Sequence, residues 1–156
     1  MSTKKEYSSA TAIFDRSKVQ PLFPFGYGLS YTTFQYSGLS VSPSSGDLSA
    51  PVNVSFNIKN NDSREGAEIA EIYVGDSHAS VPRPLKELKG FAKVNLRPGE
   101  SGRVSLKLDR RAFSYFDVNK HNWAAEPGDF TIFVGGSSVK IELQGKFVLV
   151  PGRQNR

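Results

Sequence analysis

Apolar and polar residues alternate with a period of two through much of the chain. In VNVSFNI, Val52, Val54, Phe56 and Ile58 share one side, and Asn53, Ser55 and Asn57 the other. That is the pattern of a strand with one face in a core and one in water. RVSLKLD repeats it with Val104, Leu106 and Leu108 inward, and DFTIFVGG with Phe130, Ile132 and Val134. VKIELQGKFVLV sets Val139, Ile141, Leu143, Phe147 and Leu149 on one side. Gly145 interrupts that row, which predicts a bulge or a close backbone approach. AEIAEIYVGD breaks the period, because Ile69 and Ile72 lie three apart. It reads either as a strand buried on both faces or as a bulged one. LKELKGFAKVNL has the same irregularity around Gly90.

The segments between these strands carry turn chemistry. RPGE (97–100) and EPGD (126–129) place Pro second and Gly third, the arrangement a type II turn requires. NNDS (60–63) is a third polar turn. DRRAFSYF (109–116) suits a single helical turn capped by Asp109. With no long amphipathic helix and six to eight strands at this spacing, the pattern predicts an all-β sandwich.

A chain of 156 residues suits one domain plus an extension. It has no cysteine, so a disulfide framework and thiolate or zinc–sulfur chemistry are excluded, and a reducing compartment fits. The net charge of +5 is scattered, its clearest cluster being Arg103, Lys107, Arg110 and Arg111. No nucleic-acid recognition motif accompanies it, so a solvated basic face is expected rather than a nucleic-acid partner. No stretch reaches the ~20 apolar residues of a membrane helix. MSTKKEYSSATAIFDRSK has no apolar run of signal-peptide length, and localisation stays open.

The residues offer little for catalysis within this chain. A glycosidase-type site needs two carboxylates facing each other at a defined separation. Glu68 and Glu71 are close in sequence, but their odd spacing sends them to opposite faces of a regular strand. Glu126 and Asp129 flank a turn and read as turn formers. His78 and His121 sit among polar loop residues, and no nucleophile elbow accompanies them. No metal-ligand spacing and no phosphate loop is present, so no catalytic residue, metal or cofactor is assigned. Trp123, the sole tryptophan, reads as packing, with sugar stacking the alternative; Tyr115 and Tyr73 would be its companions.

The stretch that remains is PLFPFGYGLSYTTF (21–34). Pro21 and Pro24 disfavour helix, Gly26 and Gly28 permit sharp bends, and the rings are too apolar for a flexible linker. They cap the local core or form a seam with another body.

This ribbon resembles the segment leading into the C-terminal fibronectin type III-like domain of family 3 glycoside hydrolases, the β-glucosidase and β-xylosidase group. GAEIAEIYVGD is similar to that domain's central strand. SVPRPLKELKGFAKVNLRPGES (80–101) is the most specific match, and RRAFSYFD with W-x-x-EPGDFTIFVGGSS completes it, so that about residues 21–149 are covered. The resemblance implies an immunoglobulin-like (fibronectin type III-like) antiparallel β-sandwich of about seven strands with an N-terminal extended segment. It divides the chain into a leader (1–20), an aromatic docking segment (21–34), the sandwich (35–150) and a tail (151–156).

In that family the catalytic groups lie in a barrel and an α/β domain, and no position here matches the nucleophile motif. The expected role is therefore a non-catalytic accessory domain whose partners are the catalytic domains of a glycoside hydrolase, in cis or in trans. Phe23, Phe25 and Tyr27 would be docking rings, with Tyr31 and Phe34 entering the sandwich. The loop bearing Pro82, Arg83 and Pro84 would be a second contact. A free-standing carbohydrate-binding module and a domain that self-associates through the aromatic segment are the other two readings.

Overall fold

The computed structural model describes residues 32–152. Its strands are β1 (Phe34–Ser42), β2 (Ser45–Gly46), β3 (Val52–Asn60), β4 (Gly66–Asp76), β5 (Glu87–Leu96), β6 (Ser101–Leu108), β7 (Tyr115–Asp117), β8 (Asn122–Ala124), β9 (Gly128–Gly135) and β10 (Ile141–Leu149). Seven of them have eight residues or more, the number the resemblance implies. Phe23, Phe25, Tyr27 and Tyr31 lie outside the described residues.

Two sheets face each other. One has the order β1-β3-β6 and the other β2-β10-β9-β4-β5. All pairings are antiparallel except the short β2–β10 pair. The alternating segments supply the core: Val52, Val54, Phe56 and Ile58 are fully enclosed, as are Ile132 and Val134. Phe34 and Tyr36 on β1 join them, and Phe113 packs edge-on to Phe130, ring centroids 5.3 Å apart. Each such aromatic removes roughly 150–250 Å² from water, which is how a cysteine-free domain of this size holds together.

The aperiodic strand is buried on both faces, and the bulge belongs to its neighbour. From Ala70 to Gly75 every residue of β4 is buried. Its pairing with β5 also slips: Ile72 faces Gly90, and Tyr73 faces Leu88. Lys89 is the extra residue, so the bulge lies on β5 and β4 keeps its alternation. Ala70, Ile72 and Val74 therefore enter the core, while Glu71, Tyr73 and Gly75 lie on the outward side.

Gly145 marks a close approach, since a Cβ there would sit 2.9 Å from Val41 Cγ2 and 3.1 Å from Leu39 Cδ2. β1 is thereby drawn against β10. The register shift on β10 falls between Ile141 and Leu143 instead. Val139 does not belong to the inward row, because it precedes β10 in the connection from β9 and is exposed.

The turns divide. In RPGE the Glu100 amide donates to the Arg97 carbonyl at 3.0 Å, and Gly99 has φ +72°, as a type II turn demands. EPGD is different: Gly128 already opens β9 with φ +150°, paired with Leu149. Asp109 caps a 3-10 turn over Arg110–Phe113, accepting from the Arg111 and Ala112 amides.

The chain enters at the end of the sandwich where β4 begins. A Cβ on Gly66 would lie 2.5 Å from the Thr32 hydroxyl oxygen, and the Asn61 amide donates to the Thr33 carbonyl. Asn60, fully buried, closes this end by donating to the Arg64 and Leu96 carbonyls (2.7 and 3.0 Å) and accepting from the Asp62 amide (2.8 Å).

Candidate docking site

The opposite end carries the loop from Ser77 to Lys86, between β4 and β5. Antiparallel order makes β4 end where β5 starts, so loop and strand ends converge on one side chain, Arg83. Its guanidinium reaches Asp76 Oδ2 at 3.3 Å and Glu87 Oε2 at 2.7 Å. It also donates to the Ser114 carbonyl at 3.4 Å and lies over the Tyr115 ring, 5.7 Å from its centroid. The Arg83 and Asp76 side chains are only 6% and 5% exposed. A planar, five-donor cation suits such a multi-partner position better than an ammonium. Lys89 approaches Glu87 from the other side at 3.8 Å, and burial pulls its ammonium below the usual lysine range.

A second anchor holds the loop to the connection before β9. Glu126 accepts from the Ser80 hydroxyl, from the Ser80 amide at 3.1 Å and from the Tyr115 hydroxyl at 3.0 Å. The Ser80 hydroxyl and amide hold its carboxyl below the ordinary glutamate value. Expected as a turn former, Glu126 is instead a staple between two loops. Its partners are 46 and 11 residues away, a separation that no local pattern discloses.

The loop then folds over the outward side of β4. A Cβ on Gly75 would collide with the Leu85 carbonyl, so only glycine lets the backbone lie this close. Pro82 is exposed, Pro84 half-buried, and Leu85 61% exposed. Of the named docking residues, the two prolines thus present surface. Arg83 acts from within, shaping the loop.

The remaining candidates are scattered. Tyr73 is 3% exposed and donates to Glu71, so its ring offers no face to a sugar. Tyr115 is half-buried between Arg83 and Glu126. Trp123 is 45% exposed on the β7–β8 hairpin, with Arg111 over its ring at 4.3 Å and Phe116 edge-on at 5.7 Å. Part of the basic cluster is thereby engaged: Arg111 on Trp123, Arg103 on the Ser55 hydroxyl, Arg110 on the Asp47 carbonyl. Glu68 and Glu71 do point to opposite sides of β4. Glu68 accepts from Tyr36 at 2.8 Å between the sheets, and burial raises the Tyr36 hydroxyl above the usual tyrosine range. Glu71 faces outward, and burial raises its carboxyl too. Among the described residues, no three of His, Asp or Glu gather where a metal ion could be held.

Two facing antiparallel sheets of three and five strands, joined in this order, define a fibronectin type III-like β-sandwich. Residues 68–138 match the family model described as "Fibronectin type III-like domain". The chain carries the fibronectin type III-like domain found in family 3 β-glucosidases. It is 47% identical over 131 residues to thermostable β-glucosidase B of Acetivibrio thermocellus, covering 84% of this chain and 17% of that protein. It is 42% identical over 144 residues to β-glucosidase BoGH3A of Bacteroides ovatus, covering 90% and 19%. The solved GH3 β-glucosidase of Bifidobacterium adolescentis superposes with a TM-score of 0.83 at 36% identity, over 88% of this chain and 20% of that one. The chain thus spans about a fifth of the length of the relatives it matches.

Proposed function

We propose that this chain is a non-catalytic accessory module of a β-glucosidase-type glycoside hydrolase, which stabilises or positions the catalytic regions of that enzyme. The observation that carries this reading is how its acids are employed. Asp76 and Glu87 hold Arg83, Glu126 holds Ser80 and Tyr115, and Glu68 and Glu71 hold tyrosines. Each of these acids is taken up by a cation, hydroxyl or amide of the fold itself, the employment of a structural acceptor rather than of the free acid and nucleophile that glycoside hydrolysis uses. The aromatic segment with Phe23, Phe25 and Tyr27 and the loop with Pro82, Arg83 and Pro84 are the proposed contacts.

The test is hydrolysis of an aryl β-glucoside by the purified chain. The expected result is no turnover above buffer. Turnover abolished by changing a single carboxylate overturns the reading. Carbohydrate contact at Trp123 is a second reading, favoured by the exposure of its ring. Retention on insoluble glucan that is lost in Trp123→Ala would support it.

A further inference from the structure

The outward side of β4 and β5 differs in kind from the rest of the sandwich surface; on β10 of the same sheet the outward residues Glu142, Gln144 and Lys146 are polar. The face of β1-β3-β6 displays Gln35, Ser37, Asn53, Ser55, Asn57, Lys59, Arg103, Ser105 and Lys107, which is polar throughout, as a sheet facing water should be. The outward face of β4 and β5 displays Ile69, 49% exposed, and Phe91, 66% exposed, in adjacent rows: Ile69 pairs with Lys93, and Glu71 with Phe91. Leu85 continues this apolar line beyond Tyr73 and Gly75. Single exposed apolar residues need no explanation, but a row running along one sheet face marks an interaction surface.

From these rows we infer that the catalytic region of the β-glucosidase-type enzyme seats on the outward face of β4 and β5, around Phe91, with Ile69 and Leu85 as flanking contacts. The inference rests on the proposed accessory role and adds the face. The chain enters at Thr32, beside the first residue of β4, and the loop bearing Pro82 and Pro84 follows its last. Those ends are separated by the length of β4, about 33 Å at the usual rise per residue. A body that meets both the entering segment and the loop must run along one side of the sandwich, and this side is the apolar one. The relatives supply such a body, since four-fifths of their length lies outside the match. Lys93 beside Ile69 sets the complementary chemistry: an apolar patch with an acidic neighbour.

The experiment is hydroxyl-radical footprinting of the 156-residue chain alone and of an A. thermocellus β-glucosidase B in which this chain replaces the matching 131 residues. Phe91, Ile69 and Leu85 should oxidise several-fold more slowly in the grafted enzyme, with Trp123 and Phe116 unchanged. Phe91→Asp should lower the melting temperature of the graft while leaving that of the isolated chain as it was. Protection of the hairpin instead, with Phe91 still reactive, overturns the choice of face but keeps the accessory role. No protection anywhere overturns both. Slower oxidation of Phe91 in the isolated chain as its concentration rises makes a second copy the occupant and also overturns the inference.

Discussion

The Arg83 guanidinium stands 3.3 Å from the Asp76 carboxylate with both side chains almost wholly shielded from water. One residue of a surface loop is thus its internal pillar. Removing one member of a buried pair leaves the other desolvated and unpaired, at a cost of ~3–5 kcal/mol. Arg83→Ala should destabilise the domain by about that much in urea unfolding. Arg83→Lys should recover only part of the loss, because an ammonium cannot span Asp76, Glu87 and the Ser114 carbonyl together. Equal stability of Arg83→Ala and wild type would refute this role.

Glu126 and Glu71 should give opposite pH signatures. The Glu126 carboxyl is held below its ordinary value by Ser80. Its contribution is present in full above the ordinary glutamate range and is lost as pH falls through the lowered folded value. Glu126→Gln should therefore lose most stability relative to wild type at neutral pH, the difference closing under acid.

Glu71 is raised by burial, so folding favours its protonated form. That contribution is full below the ordinary glutamate range and disappears as pH rises through the raised value. Glu71→Gln, which keeps an acceptor for Tyr73, should gain on wild type at neutral pH and lose that advantage under acid. Melting curves of the three proteins at several pH values check both signs.

Gly75→Ala should force the Leu85 carbonyl off β4, since a methyl group has no room beneath it. Overpacking of this kind costs ~1–3 kcal/mol. Limited proteolysis should then cut between Ser77 and Lys86 faster than in wild type. An unchanged cutting rate would mean that the loop does not depend on this contact.

Asn60→Ala should cost ~1–3 kcal/mol, because it strands the Arg64 and Leu96 carbonyls and the Asp62 amide. Asn60→Asp should be worse than alanine, since a carboxylate can donate to neither carbonyl. Chemical denaturation of both variants gives the order.

Much of the fold was legible because burial writes itself into a period of two. Val52, Val54, Phe56 and Ile58 could be set facing inward from spacing alone. The bulge at Lys89 showed as a break in that period. Val139 was misplaced because alternation carries on in sequence past the point where pairing stops. The type II turn expected at 126–129 failed because Gly128 is drawn into pairing with Leu149, a tertiary demand that turn chemistry does not contain. The staple between Ser80 and Glu126 was invisible for the same reason: hydrogen-bond partners 46 residues apart leave no local trace. The resemblance places Arg83 in the contact loop, but the inward turn of its guanidinium onto Asp76 and Glu87 depends on strand ends that meet only in the fold.

The extra residue on β5 has a consequence for solubility. β5 is the outermost strand of its sheet, and an unprotected rim of this length would template stacking with other molecules. Lys89 interrupts the regular ladder there, and Lys93 adds charge further along. Deleting Lys89 from the ten-residue β5 would leave a nine-residue edge with no bulge, a rim more open to pairing with strands of other molecules.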